Sequence, residues 1–242
     1  MPKTALLRSP AEGCAIQLLL CEPLPPSVRA GLDAVPRNDL FYGEIWRAGI
    51  GIADADAASI LDAGQVPGAI GPHPGLHAAL AARHPRLGLF HLSAEPWPGE
   101  TDAFERSVGA GYRRASPADV ARLRAAPSFF PYWDHELEQR RAEGASWQRQ
   151  CEGMVAVLPP VVYLSVDLSV LAPHLCPGRG APMGGLEWWQ LAVLLRVLSA
   201  RREVAGFALE GLVDAEADGR VAAALLYQQA GCALGRRDAA KV

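Results

Sequence analysis

The residues of this chain with the most chemical potential stand where apolar runs end. Val161 to Asp167 (VVYLSVD) delivers Asp167, with Ser169 two positions on; Arg86 to Ser93 (RLGLFHLS) delivers Ser93 and then Glu95; Val66 to Gly71 leads into His73; Val204 runs to Glu210. A histidine with two carboxylates is a donor set for a hard or borderline divalent cation, so His73, Glu95 and Asp167 are candidate ligands of a mononuclear site. His77, one helical turn after His73, is a further possible donor. Glu95, Asp167 and Glu210 are also candidate acids and bases. The same residues have a plain structural reading, because Ser and Asp recur at strand ends as capping and loop residues.

The elements that must position them alternate. Cys14 to Cys21 reads as a buried strand and Ser27 to Val35 as a short helix. Phe41 to Ile52 is ambiguous between strand and irregular backbone, and Ala53 to Ala63 is a helix stopped at Gly64. Val66 to Gly71 is a strand, Leu76 to Arg83 a helix, Arg86 to Ser93 a strand and Glu105 to Tyr112 a weaker one. Ser116-Pro117-Ala118-Asp119 opens a helix, with Ser at N-cap, Pro at N1 and an acid at N3. Residues 127–133 (PSFFPYW) read as an aromatic loop, and Asp134 to Leu158 as helix weakened at Gly144 and Gly153. Val161 to Asp167, Glu187 to Arg202, Val204 to Glu210 and Arg220 to Leu234 complete a strand, helix, strand, helix order. The alternation predicts an α/β fold: a three-layer αβα arrangement with a central, mostly parallel sheet.

With 242 residues, 50% apolar composition and a net charge of −3, the chain can bury a large core and offers no electrostatic case for nucleic acid or an anionic membrane. The 20 prolines and 24 glycines are spread along it rather than gathered into a linker. Five cysteines, an odd number with no C-x-x-C spacing, argue against a disulfide framework or zinc knuckle and fit a reducing cytoplasm. No signal-peptide pattern opens the chain and no apolar run reaches membrane-spanning length, so no membrane partner is expected.

One stretch is distinctive as a sequence. VYLSVDLSVLAPHLCPGRGAPMGGL resembles the ureohydrolase family (arginase, agmatinase, formimidoylglutamase), with its Ser-x-Asp-x-Asp-x-x-Asp-Pro, Pro-Gly-x-Gly-x-Pro and Gly-Gly-Leu motifs. Ser165, Asp167, Pro173, Pro177, Gly178, Gly180, Pro182, Gly184, Gly185 and Leu186 match. VAGFALEGLVDAEADGRVAAALL resembles the family's last strand and helix, with Glu210 at the glutamate that contacts the guanidinium. VPGAIGPHPG, LGLFHLSAEPW and SVGAGYRRASPADV resemble, in the right order, the Gly-Gly-Asp-His, His-Phe-Asp-Ala-His-x-Asp and Val-Gly-Ile-Arg-Ser segments. The resemblance is clearest over 66–234 and implies a single arginase-like domain over 1–242.

The resemblance also implies two manganese ions that share a bridging hydroxide, held by four Asp and two His. Carried over position by position, His73 and Asp167 are kept. Ser93, Glu95 and Trp97 stand at the Asp, His and Asp of the second segment, and Ser169 at the second Asp of Asp-x-Asp. Pro72 and Ala172 stand beside them where acids belong. Neutral hydroxyls and an indole cannot compensate two dications. The expectation is therefore a pseudoenzyme without the dinuclear site, with no cofactor, acting as a binding or assembly subunit. It would form a homo-oligomer or a hetero-oligomer with an active ureohydrolase-like subunit, and the aromatic residues Phe129, Phe130, Tyr132 and Trp133 are interface candidates or core. The alternatives are a hydrolase of a guanidine or amidine compound using one Mn²⁺ or other divalent metal at His73, Glu95 and Asp167, and a sensor that holds a cationic small molecule at Asp167 and Glu210.

Overall fold

Val161–Asp167 is the centre of the architecture, and its sequence explains why. All but its two end residues are buried, a near-continuous apolar run suited to a parallel strand covered on both faces. The computed structural model describes residues 7–8, 14–21, 23–34, 45, 49–53, 55–100, 102–179, 183–213 and 215–235. Among these, nine strands are β1 (Leu7–Arg8), β2 (Ile16–Leu20), β3 (Ile50–Ile52), β4 (Val66–Ile70), β5 (Leu87–Leu92), β6 (Arg106–Tyr112), β7 (Phe129–Trp133), β8 (Val161–Asp167) and β9 (Glu203–Glu210). They form one sheet in the order β1-β3-β2-β4-β9-β8-β5-β6-β7, and each neighbouring pair is parallel.

The helices are α1 (Pro26–Asp33), α2 (Ala57–Asp62), α3 (Pro74–Arg83), α4 (Pro117–Ala125), α5 (Asp134–Ala142), α6 (Trp147–Val157), α7 (Trp188–Arg201) and α8 (Glu216–Leu234). Side chains alternate across each strand, so each face builds its own core. Leu18, Phe90, Leu164 and Val166 pack with Val28 of α1, Leu137 of α5, Met154 of α6, Leu194 of α7 and Leu226 of α8. Leu19, Leu89 and Tyr163 pack on the other face with Ile60 of α2, Leu80 of α3 and Leu123 of α4. The three-layer α/β expectation holds.

Some boundaries differ from the sequence reading, each for a physical reason. β1 was not expected; its two residues pair only with β3 at the sheet margin, too short for any periodicity to register. The stretch expected as an aromatic loop is β7. Its Pro131 fits because β7 is the last strand of the sheet, where a missing N–H costs no ladder bond on the open side. Those aromatics are packed inward: Phe129 is buried, Phe130 and Tyr132 lie against one core and Trp133 against the other. The single helix expected after Asp134 is two, because the chain turns at Gly144 and restarts with Ser146 accepting from the Arg149 N–H. The Ala53–Ala63 helix is shorter, starting where the Asp56 carboxylate caps Ser59. Of the ambiguous Phe41–Ile52 stretch, Ile50–Ile52 is strand; residues 41–44 and 46–48 lie outside the described residues, as do Gly180 and Pro182. Ser116 and Asp119 form the expected reciprocal capping box of α4.

Candidate functional site

The carboxyl ends of β4, β9, β8 and β5 lie side by side in that order. His73, Glu210, Asp167 with Ser169, and Ser93 with Glu95 therefore belong to one edge, as the sequence reading required. What their side chains do there separates them.

Asp167 and Glu210 are register partners on adjacent strands, about 4.8 Å apart along the sheet. Asp167 accepts the Ser169 N–H at 2.7 Å and so caps the short 3-10 turn Leu168–Val170. Ser165, two residues back on the same face and fully buried, donates its hydroxyl to Glu210 Oε1 at 3.1 Å. His91, the β5 partner of Ser165, places Nδ1 3.2 Å from the Ser165 hydroxyl oxygen. With that hydroxyl committed to Glu210, the neutral imidazole donates from Nδ1, and a buried line runs from His91 through Ser165 to the edge carboxylate. The sequence reading did not single out His91. Its signal was present: His91 and Ser93, like Ser165 and Asp167, are polar residues two apart in otherwise apolar strands.

Ser93 and Ser169 are spent on local structure. Their hydroxyl oxygens are 3.4 Å apart, Ser93 accepts the Glu95 N–H at 3.0 Å and Ser169 accepts the Ala94 N–H at 3.1 Å. Both are buried. The Glu95 backbone is thus held at the edge while its carboxylate turns outward to Arg114 at 2.8 Å. Trp97 is buried, its ring edge-on to His91 at 5.0 Å and to Phe104 at 6.3 Å. Arg122 donates to its carbonyl at 2.6 Å, and the Tyr112 hydroxyl accepts its N–H at 3.2 Å. His73 sits at the N-cap position of α3 without making a cap hydrogen bond.

The loop after β8 keeps its geometry by other means. Arg113 donates to the carbonyls of Ser169 at 2.6 Å and Leu171 at 3.1 Å, and Asp134 accepts the Gly185 N–H at 3.1 Å. Gly184 and Gly185 take φ of 92° and 96°, and a Cβ on Gly185 would lie 2.7 Å from the Leu171 carbonyl oxygen. These glycines are architectural.

Such a donor set does not fit the dinuclear manganese centre that the resemblance implies. Two positions hold hydroxyls already bonded to backbone, one holds a packed indole, and one holds a carboxylate paired with Arg114 at the surface. Among the described residues no three His, Cys, Asp or Glu side chains form a group able to hold a metal, so His73, Glu95 and Asp167 do not gather as a trio.

Electrostatics distinguish the two ends of the buried line. Burial depresses the His91 pKa from 6.5 to about 4, with Asp167's charge and the Glu95 backbone opposing in part. Burial raises Glu210 above the usual glutamate value, opposed by the Ser165 hydrogen bond and reinforced by Asp167. The signs are opposite. The His91 contribution is complete above its ordinary value of 6.5 and is lost as pH falls through about 4. Glu210's is complete below the ordinary glutamate range and is lost as pH rises through its raised value. His91 accounts for about 3 kcal/mol at most. Urea midpoints measured from neutral to acid pH are expected to fall in the His91 window. His91→Gln, which keeps a hydrogen-bonding end toward Ser165, should flatten that part of the profile; a variant with the original slope would refute the assignment.

A family model described as Arginase family matches residues 56–227. Among curated proteins, an N(1)-aminopropylagmatine ureohydrolase of Thermococcus kodakarensis is 38% identical over 55 residues, 22% of this chain and 19% of that protein. An agmatinase of Pyrococcus horikoshii is 42% identical over 55 residues, again 22% of this chain and 19% of that protein. The matched segment thus spans about a fifth of the length of these curated relatives. Among solved structures, a hypothetical agmatinase from Burkholderia thailandensis superposes with a TM-score of 0.74 at 17% identity, covering 95% of this chain and 88% of that one. Arginase from Bacillus subtilis gives 0.70 at 14%, covering 93% and 99%. A Trypanosoma cruzi formiminoglutamase gives 0.70 at 16%, covering 90% and 93%. At these identities the likeness to the solved structures is one of fold.

Proposed function

The chain belongs to the arginase family, whose members are hydrolases of guanidino compounds, and from that premise we propose that it is a member without the dinuclear manganese centre, working as a binding or assembly subunit rather than a catalyst. The observation that carries this reading is the Ser93–Ser169 pair. Both hydroxyls sit buried at the carboxyl edge, bonded to the Glu95 and Ala94 N–H groups. A pair of manganese ions needs anionic oxygen donors at such places. The surrounding frame is held by backbone hydrogen bonds of Arg113 and Asp134 and by the turns at Gly184 and Gly185.

Purification in excess Mn²⁺, followed by metal analysis and assay of urea or ammonia release from arginine and agmatine, tests the proposal. The expected result is substoichiometric manganese and no turnover above the uncatalysed rate. Roughly two Mn²⁺ per chain with turnover would overturn it. As an assembly subunit the chain self-associates or joins an intact ureohydrolase-like chain; light scattering of the chain alone and after co-expression with such a relative reads this directly. A cytoplasmic setting belongs to the same reading. No helix among the described residues is long and apolar enough to cross a membrane.

A second reading, a sensor of a cationic small molecule, has its own support. Asp167 and Glu210 place two carboxyls side by side at the edge, with Glu210 steadied from behind by Ser165. Titration with agmatine distinguishes it: binding abolished by Glu210→Gln with no turnover favours the sensor. The mononuclear hydrolase is the weakest of the three, because Glu95 faces Arg114 at the surface rather than Asp167.

A further inference from the structure

A second place at the same sheet edge is built differently. The chain leaves β2 toward α1 on one face of the sheet and leaves β4 toward α3 on the other. β2 and β4 are adjacent, so their departing connections part and leave a crevice beyond their carboxyl ends. Such a switch point is where open parallel sheets take ligands. Here it holds a cavity of about 500 Å³, walled by Cys21, the Pro23–Pro26 turn, Ile70 to Pro72, and Gly211 with Leu212 beyond β9.

Three features define what fits. The walls are preformed, because Pro23, Pro25, Pro26 and Pro72 fix the backbone of both flanking turns. The floor is open, because Gly71 and Gly211 end their strands at φ of 84° and 73° with no side chain to fill the space. Among the described residues the lining carries no Asp, Glu, Lys, Arg or His side chain, and Leu24 and Ile70 within it are buried apolar residues. Against these residues a cation would lose its hydration with no counter-charge among them to replace it. We propose that this crevice is a binding site for a neutral, largely apolar small molecule, separate from the Asp167–Glu210 edge.

The proposal does not depend on whether the chain is a catalyst, and Cys21 supplies a built-in reporter. None of the five cysteines is in a disulfide, Cys21 is exposed and the other four are buried. Its thiol donates to the Pro72 carbonyl at 3.0 Å, across the cavity's own wall. The probe is N-phenyl-1-naphthylamine, a neutral dye that fluoresces on leaving water, titrated into the full chain. Saturable binding is expected, with modification of Cys21 by N-ethylmaleimide slowed roughly tenfold at saturation by simple occupancy. Leu212→Trp, which fills the mouth, should weaken dye binding by about tenfold or more. Cys21→Phe repeats the dye test at an exposed position should Leu212→Trp fold poorly. Agmatine in excess should displace nothing. The proposal is overturned by absent or non-saturable binding, by binding that both variants leave intact, by an unprotected Cys21, or by competition from agmatine, which would assign the dye to the carboxylate edge.

Discussion

Replacing Ser93 and Ser169 together by aspartate is expected to lower the thermal midpoint of the metal-free chain by about 10 °C. Both side chains are buried, with hydroxyl oxygens 3.4 Å apart, so the double variant forces two carboxylates into one dry space beside Asp167. The Ala94 and Glu95 N–H groups, which the serines now accept, soften the penalty. A net cost of about 3–4 kcal/mol remains. For a chain of this size each kcal/mol moves the midpoint by roughly 2–4 °C. The paired control, Ser93→Asn with Ser169→Asn, is of similar size without the charge and should lose less than half as much. The two pairs should also differ in their response to Mn²⁺. With Asp167 alongside, three carboxylates compensate a dication, and metal at a hundred times its dissociation constant returns about 2.7 kcal/mol. The Asn pair and the natural chain should not respond. If the Asp and Asn pairs melt alike and neither responds to Mn²⁺, the edge is not the former metal space that the resemblance implies.

Tyr112→Ala is expected to be comparably damaging, for a different reason. Tyr112 is fully buried, stacked on Phe129 at 6.4 Å, edge-on to Trp133 at 5.9 Å and beside His91 at 5.8 Å. Gly109 leaves room for its ring, since a Cβ there would collide with the phenol. Removing the ring opens a cavity costing about 4 kcal/mol, or about 12 °C. It also releases the Trp97 N–H, which the phenol oxygen accepts at 3.2 Å. Tyr112→Phe isolates that second effect and should cost about 1–2 kcal/mol. The pair of denaturation curves reads both, and a Phe variant as damaged as the Ala variant would show the hydroxyl, not the ring, to be the support of the 93–97 turn.

The strand-helix alternation was legible because most elements carry their signals locally. The β8 run is apolar but for Ser165 and Asp167, and Ser116 with Asp119 signals a helix start. The edge was legible too, since polar residues end four of the apolar runs. β7 was not. Its Pro131 and aromatic run argued for a loop, and only its place as the last strand of the sheet makes proline acceptable. The orientation of Glu95 was not legible either, because the outward turn of its carboxylate depends on Arg114, nineteen residues away.

The sequence by itself determined that this is a parallel α/β chain with an arginase-like frame, in which, by the resemblance, serines, tryptophan and proline stand where that frame elsewhere holds aspartates and Glu95 stands where it holds a histidine. Residue type decides that much, because a hydroxyl or an indole cannot supply a carboxylate's charge in any conformation. Only the tertiary structure decided what those replacements do. The Ser93–Ser169 contact, the His91–Ser165–Glu210 line and the crevice between β2 and β4 all join residues at least 45 positions apart. Strand order sets them, and no local pattern in the sequence encodes which strands become neighbours.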